Sequence, residues 1–293
     1  MKFLKLVHIS LLAFLPFFAS AQESEPEFYK YGFPQDEIYI DINKATKESK
    51  KVTKLKLVNI DLSLNYNKLG RFRGLKVLKL QNNKIDSLPN KLFRNYGMKY
   101  FFSSGNKLKN LSSAVSNFGG LEVLKLQKTE LDSFPSSMSS LRFLSTLEIQ
   151  SNIADTFKLN GVIPGLISLE NLLFYNVRLY NFPNDFSKNK KLKEAYFINC
   201  RISRIDTGSS SIYSCEKLEL LILENNMIKD ISIDILQLKN LKMLSFKNNK
   251  IKVLPEYLSR LKNLEKLDLR GNPIPRHQVA VLRILMPKCR IDY

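Results

Sequence analysis

Apolar residues recur along this chain in a frame that mixes two spacings. Residues 241–261 begin with alternating apolar side chains, pass through an Asn, and continue as an irregular apolar segment that contains a Pro; the same frame restarts at Leu264. Strict alternation predicts a short strand, whereas the remainder fits neither a regular strand nor a regular helix. One copy of the frame cannot bury its own apolar side, so the pattern predicts copies stacked around a shared core.

The frame occurs ten times, and seven of the nine intervals between copies are 23 residues long. The first apolar positions of the copies are Val52, Leu75, Met98, Leu121, Leu144, Leu169, Leu192, Leu218, Leu241 and Leu264. A period this regular indicates a solenoid of stacked coils. Because the fourth and sixth positions are apolar nearly throughout, we predict one short parallel strand in each coil, with these side chains directed inward.

The ninth position is most often asparagine. The asparagines are Asn83, Asn106, Asn152, Asn226, Asn249 and Asn272. A buried carboxamide can both donate to and accept from the backbone groups where the chain leaves the strand, so we predict a ladder of asparagines. Thr129 and Cys200 can replace it only weakly, and Ile60 and Val177 cannot replace it. Pro89, Pro135, Pro183 and Pro255 further along the coil predict an extended, mostly irregular return leg with short helical turns.

The frame LxxLxLxxNxLxxLPxxLxxL, found in residues 75–92, 218–238 and 241–261, resembles that of the leucine-rich repeat proteins in their 23-residue form. The resemblance covers about residues 52–293. It implies an α/β fold: a right-handed parallel solenoid shaped as a curved horseshoe, with the strands on its concave face and a mostly irregular convex side. Two residues depart from the frame, because Asn65 occupies an apolar position and Ser103 a core position.

The first 21 residues have the features of a signal peptide. Lys2 and Lys5 precede an apolar run over residues 9–18, and small residues lead up to Ala21, after which we predict cleavage. The run of about 10 apolar residues falls short of the roughly 20 that a membrane span requires. We therefore predict export to the periplasm, the extracellular space or the cell surface, with no transmembrane segment.

The segments that flank the repeats differ from them in character. Residues 22–37 read as an irregular leader, and residues 38–51 as an N-terminal cap with a strand at 38–42 and a helical turn at 43–49. Residues 52–274 hold the ten repeats. Residues 275–293 resemble a C-terminal cap, with a helix at 278–286 whose apolar residues are Val279, Leu282, Ile284 and Leu285, and with Cys289 and Ile291 over the last coil.

The composition shows a strong positive charge and few residues of the kinds that bind metals or catalyse reactions. The formal net charge is +19 over 293 residues, which favours acidic partners or surfaces. After export only His277 remains among the histidines, and three cysteines without CxxC spacing indicate neither a disulfide framework nor a metal site. Two of the outward carboxylates Glu148, Glu170, Glu194, Glu224 and Asp268 could face each other as in a glycosidase, but charges are expected on a solvent face. We predict no enzymatic activity, cofactor or metal.

The variable outward positions of the strands are the candidate functional surface. Apolar and aromatic residues predicted to form a ligand-binding patch there are Tyr100, Phe102, Leu173, Tyr175, Tyr196, Ile198, Leu220, Ile222 and Met243. Basic residues predicted to add electrostatic attraction are Lys54, Lys56, Lys76, Lys79 and Lys125. Burying one large apolar side chain is worth about 1.5–3 kcal/mol, against about 0–1 kcal/mol for an exposed ion pair. The patch is therefore the expected source of affinity.

Three functions remain open on the sequence. The first is a non-enzymatic module that binds a protein or peptide on the concave face. The second is binding of an anionic polymer, such as a polysaccharide or surface glycolipid, through the basic N-terminal half; export argues against nucleic acid. The third is an adhesin or host-directed virulence factor, for which the resemblance to exported bacterial members of the family is the only support.

Overall fold

A computed structural model describes residues 36–150 and 155–293. The predicted signal peptide and nearly all of the leader lie outside the described residues. Twelve strands of the described chain form one parallel sheet in which the strands follow each other in chain order. They are β1 Ile38–Tyr39, β2 Lys54–Val58, β3 Val77–Gln81, β4 Tyr100–Ser104, β5 Val123–Gln127, β6 Thr146–Gln150, β7 Asn171–Tyr175, β8 Glu194–Ile198, β9 Leu220–Ile222, β10 Met243–Ser245, β11 Lys266–Asp268 and β12 Arg290–Asp292.

The inward positions of the strands form one continuous core. Leu55, Leu124 and Leu244, each at the fourth position of its repeat, are fully buried, and the same cluster runs from Tyr39 to Ile291. The predicted solenoid with one short strand per coil is confirmed. The return legs carry short 3-10 helices at Tyr66–Arg71, Asn90–Arg94, Ser113–Asn117, Ser136–Ser140, Ile163–Gly165, Ile212–Ser214, Ile233–Gln237 and Glu256–Arg260. Pro89, Pro135 and Pro255 are extended and each precedes such a helix.

The N-terminal edge differs in detail from the prediction. The expected strand at residues 38–42 contains only β1, which pairs in parallel with β2. Helix α1 (Ile42–Lys47) begins earlier than predicted because the Asp41 carboxylate accepts hydrogen bonds from the backbone N–H groups of Asn43 and Lys44 at 2.6 and 3.0 Å. The side chain of Asp41 thus ends the strand and starts the helix.

The C-terminal edge carries helix α2 (Arg276–Leu285) and a strand that the sequence pattern did not predict. Val279 and Leu282 are buried as predicted. Ile284 and Leu285 are exposed, so the prediction that they belong to the buried apolar side of the helix is wrong. The chain then turns back, and β12 pairs with β11, which buries Ile291 over the last coil. Val279, Leu282 and Met286, at the helical spacing i, i+3 and i+7, lie on the buried side of the helix, whereas Ile284 and Leu285 lie on its other sides.

The predicted asparagine ladder is confirmed at Asn106, Asn226, Asn249 and Asn272, whereas Asn83 donates to the carbonyl of Ile60 but its Oδ1 is buried without a partner. Asn152 lies outside the described residues. Nδ2 of Asn249 donates to the carbonyls of Leu223 and Phe246 at 2.8 and 2.9 Å, and its Oδ1 accepts from the N–H of Ile228 at 3.0 Å. Asn272 repeats this arrangement one coil later. Each carboxamide therefore joins two adjacent coils.

The departures from the ladder behave as their chemistry predicts. Cys200 Sγ donates weakly to the carbonyls of Phe174 and Ile198 at 3.4 and 3.5 Å. The Oγ1 of Thr129 is buried without a hydrogen-bond partner. Ser103, which occupies a core position, accepts from Nδ2 of Asn106 at 3.2 Å.

Two further features of the repeats were not predicted from the sequence. The eighth repeat position has positive φ throughout the described repeats, at Asn59, Asn82, Gly105, Lys128, Asn176, Asn199, Asn225, Asn248 and Gly271. Asparagine and glycine enter the left-handed region most readily. The recurrence of one or the other at all of these positions except Lys128 is therefore a sequence signal for a positive φ. On the return side, buried Asn189 donates to the carbonyls of Ile163 and Leu166 at 3.0 and 2.9 Å.

The described residues contain no helix long and apolar enough to cross a membrane. They also contain no group of three or more His, Cys, Asp or Glu side chains that could hold a metal ion. Cys200, Cys215 and Cys289 are free thiols. Burial raises the pKa of Cys200 and Cys215 to about 12 and that of Cys289 to about 11.

Candidate ligand-binding face

The strand positions between the inward ones form a second face, the concave face, in which side chains of successive strands stand in register. The central row places Phe102 beside Lys79 and Lys125, and places Tyr196 beside Leu173 and Ile222. The parallel register carries each row across all of the repeats, because every strand follows its neighbour at the same offset. The variable positions of the repeats are thereby brought onto one surface.

A small apolar cluster confirms that this face is separate from the core. Val77, Phe102 and Val123 pack together, with Ile38 and Tyr100 against them, and none of these residues belongs to the main core cluster. The hydroxyl of Tyr100 also donates to Glu122 at 3.0 Å. The predicted pair Tyr100 and Phe102 therefore lies on the N-terminal half of the concave face.

The remaining predicted ligand-binding residues lie together on strands β7 to β10. We call Leu173, Tyr175, Tyr196, Ile198, Leu220 and Ile222 the aromatic patch; Met243 adjoins it, since its Cα pairs with that of Leu220. The rings of Tyr175 and Tyr196 have their centroids 6.2 Å apart with a 39° angle between the planes. This tilted contact fixes the two rings relative to each other.

The aromatic patch is less exposed than the sequence suggested. Tyr196 and Ile222 are only 8% and 4% exposed, and Phe102 only 5%. They lie in the central row, where neighbouring side chains of the same row cover them from both sides. Leu173, Tyr175, Ile198, Leu220 and Met243 are half-buried. The accessible part of the surface is therefore contributed mainly by this second group.

The lysines of the N-terminal half also differ in exposure. Lys54 and Lys79 are buried at 2% and 6%, whereas Lys56, Lys76 and Lys125 are half-buried. Lys125 Nζ lies 3.4 Å from a carboxylate oxygen of Glu148 on the next strand, with both side chains largely covered. This ion pair marks the boundary between the basic strands and those that follow.

The carboxylates around the aromatic patch accept hydrogen bonds from neutral groups as well. Glu194 accepts from the hydroxyl of Tyr196 at 3.1 Å, and Glu224 accepts from Ser245 Oγ at 2.8 Å. Burial raises the pKa of Tyr175, and the nearby negative charges of Glu148, Glu194 and Glu224 raise it further. The phenol of Tyr175 thus stays neutral among three carboxylates contributed by different coils.

The other outward carboxylates considered for catalysis are held by cations. Glu170 forms an ion pair with Lys193 at 2.8 Å, and Asp268 contacts the guanidinium of Arg270. The first ion pair joins neighbouring coils, and the second lies within one coil.

Comparison with known proteins agrees with the repeat frame. The family model described as leucine rich repeat matches residues 216–274. These repeats are leucine-rich repeats. The leucine-rich repeat solenoid accounts for the single open parallel sheet, for the asparagine ladder, and for the short 3-10 helices of the return legs. No curated protein sequence matches the chain.

Three solved structures illustrate the fold. A leucine-rich repeat protein of Leptospira interrogans is 25% identical, with a TM-score of 0.55 over 83% of this chain and 71% of that one. An internalin of Listeria monocytogenes is 20% identical, with a TM-score of 0.70 over 88% and 73%. The ectodomain of the Arabidopsis receptor kinase HAESA, in complex with a peptide hormone ligand, is 22% identical, with a TM-score of 0.61 over 75% and 37%.

Proposed function

We propose that this protein is a non-enzymatic binding module that is exported and holds a protein or peptide partner on its concave face. The observation that carries this proposal is the aromatic patch, a contiguous set of large apolar side chains on strands β7 to β9 that lies outside the core. Scattered apolar residues need no explanation on a surface, whereas a contiguous set marks an interaction site.

The geometry suits a partner of this kind. Tyr175 and Ile198 are paired across β7 and β8, are half-buried, and are flanked by residues that are already covered. Interface affinity is concentrated in a few large side chains set among residues that exclude water. Each such side chain contributes about 1.5–3 kcal/mol when fully buried. Two or three such anchors would supply a large share of the affinity of a complex.

The comparisons lend support by analogy. The receptor ectodomain similar to this chain was solved with a peptide hormone ligand, and other similar structures are an internalin and a leucine-rich repeat protein of Leptospira. Export is supported by the N-terminal sequence alone. Binding to a host surface as an adhesin is a special case of the same proposal.

Binding of an anionic polymer is less well supported. Lys54 and Lys79, two of the five lysines assigned to it, are buried, and Lys125 lies beside Glu148. A rigid polyanion that followed the row of lysines across the sheet would also meet Glu194 and Glu224. A polymer would need contacts confined to the first strands.

Capture of partners by the immobilised protein, at low and at high salt, tests the proposal. We expect a protein that is retained at high salt by the wild type and lost from a Tyr175→Ala/Ile198→Ala variant of unchanged thermal stability. Retention that collapses at high salt and is insensitive to this variant would favour the polymer instead, because polyanion binding depends steeply on salt.

A further inference from the structure

A second surface lies where the chain enters each strand. We call it the strand-entry edge; in each repeat it consists of the two residues before the first apolar position and the residue after that position. The backbone N–H of Lys193 donates to the carbonyl of Glu170 on the previous coil at 2.9 Å, and equivalent bonds of 2.8–2.9 Å join the coils from Thr53 to Glu265. Because all of the strands are parallel, the edge runs along one side of the sheet.

Three large apolar side chains are exposed in the middle of this edge. Tyr96 is 67% exposed, Phe143 63% and Ile167 41%. A Cβ built on Gly97 or Gly119 would meet no atom within 4 Å, so backbone and open space lie between the two aromatic residues. Both aromatic residues are therefore largely open to solvent. Apolar side chains grouped in this way on a surface indicate an interaction site.

The following coils of the edge are basic. Their exposed lysines are Lys190, Lys191, Lys217, Lys239 and Lys262. Three of these ammonium groups contact neutral oxygens, as Nζ of Lys262 does at the carbonyl of Ser259 at 3.0 Å. None of the five forms an ion pair within the part of the chain that the structure describes. Their positive charges are therefore not compensated by direct contacts.

The carboxylates of these coils are too few to neutralise the five lysines. Glu170 and Glu219 form ion pairs at 2.8 and 2.6 Å with Lys193 and Lys242, which are not among the five. The edge of these coils also holds Glu216 and Glu265. Five lysines against these two carboxylates leave the basic half of the edge with a net positive charge.

We propose that the strand-entry edge binds an anionic phospholipid surface. Tyr96, Phe143 and Ile167 enter the boundary between headgroups and acyl chains, and the five lysines lie on the anionic headgroups. Proteins that lie on membranes combine inserted apolar side chains with lysines that attract anionic lipids. A soluble polyanion would engage the lysines but give the three apolar side chains no role. This inference goes beyond the proposed function, because the edge and the concave face are different surfaces.

The dimensions of the edge suit a flat surface. Seven coil spacings of about 4.8 Å separate Tyr96 from Lys262, or about 34 Å. Attraction between an exposed charge and a charged surface is screened beyond about 8 Å at physiological salt. All five lysines therefore contribute when the edge lies along the bilayer, whereas few of them would if the solenoid stood on one end.

Binding to phospholipid vesicles tests the inference on the mature protein that cleavage after Ala21 leaves. We expect the protein to co-sediment with vesicles that contain about 30% phosphatidylglycerol, and to bind vesicles of phosphatidylcholine alone at least about tenfold more weakly. Tyr96→Ser/Phe143→Ser should weaken binding to the anionic vesicles about tenfold or more. Lys190→Glu/Lys239→Glu should have an effect of similar size.

Matched controls change exposed residues away from the edge. Tyr180→Ser/Val253→Ser removes two apolar side chains on the return legs. Lys107→Glu/Lys250→Glu reverses two charges where the chain leaves the strands, with the same change in net charge as the edge variant. We expect both controls to bind the anionic vesicles as the wild type does.

Insertion can be observed directly, because the chain contains no Trp. The emission of a Phe143→Trp variant should move to shorter wavelengths on anionic vesicles, and that of Tyr180→Trp should not. Edge variants of unchanged thermal stability that bind as the wild type does, or an emission of Phe143→Trp that does not move, would overturn the inference. Binding to heparin that requires the lysines, without binding to vesicles, would overturn it in favour of a soluble polyanion.

Discussion

The backbone N–H of Ile228 donates to Oδ1 of Asn249, one coil further along the chain, at 3.0 Å. The same carboxamide donates to the carbonyls of Leu223 and Phe246. Asn249→Ala leaves these buried groups without a partner, and we expect it to lower the free energy of unfolding by about 2–4 kcal/mol. Chemical denaturation measures this loss.

The neighbouring Asn248 is the matched control. Its side chain is exposed and donates only to Oδ1 of Asn225 on the previous coil, and its backbone has positive φ. Asn248→Gly removes the carboxamide while keeping the backbone conformation accessible, so we expect a change of less than about 0.5 kcal/mol. Equal losses at both positions would show that the buried ladder has no special role.

Thr129 offers the opposite experiment on the same ladder. Its hydroxyl is buried without a partner, and valine has nearly the same shape without the polar group. We expect Thr129→Val to raise the free energy of unfolding by about 1 kcal/mol, because an unsatisfied buried group is removed. A loss of stability on thermal or chemical unfolding would mean that the hydroxyl is satisfied in solution.

Much of the fold followed from the repeat frame, and the reason is physical. Leu244 and Asn249 are buried at the same positions of their coil as Leu267 and Asn272 are in the next coil. One frame therefore predicts the core residues of all coils. The frame could not predict β12, because Arg290 to Asp292 contact only the end of the array and follow no period. It also gave the wrong environment for Ile284 and Leu285, whose burial depends on how α2 lies on the last coil.

A close backbone approach on the return side gives a third prediction. A Cβ built on Gly165 would lie 2.1 Å from the carbonyl oxygen of Ser139, which belongs to the previous coil. The coils would have to separate, so we expect Gly165→Ala to lower the free energy of unfolding by about 2 kcal/mol or more. Gly119→Ala is the control, since a Cβ there meets nothing within 4 Å. Calorimetric unfolding of the two variants should differ clearly; similar midpoints would contradict the close packing of these coils.

The three thiols should differ from ordinary cysteines in their reactivity. Burial raises the pKa of Cys200 and Cys215 to about 12, and that of the half-buried Cys289 to about 11. Since only the thiolate reacts, alkylation at pH 8 should be slow and confined to Cys289, and its rate should rise about tenfold per pH unit up to about pH 10. Mass spectrometry of the labelled native protein identifies the site. Rapid labelling of Cys200 in the folded protein would be inconsistent with its burial.

The candidate site was only partly predictable. The frame identified Tyr175 and Tyr196 as outward residues, and the register places them in contact. It could not distinguish the half-buried Tyr175 from the buried Tyr196, because exposure on this face depends on the size of the side chains on both neighbouring strands. For the same reason it overestimated the access to Lys54 and Lys79.

The affinity of the captured partner for the Tyr175→Ala/Ile198→Ala variant tests the central claim most directly. The matched control is Tyr180→Ala/Ile233→Ala, which removes one Tyr and one Ile that are exposed outside the strands. We predict that the concave-face variant binds about a hundredfold more weakly, since two anchors are lost, while the control binds as the wild type does. Unchanged affinity of the concave-face variant, with wild-type unfolding, would contradict the account.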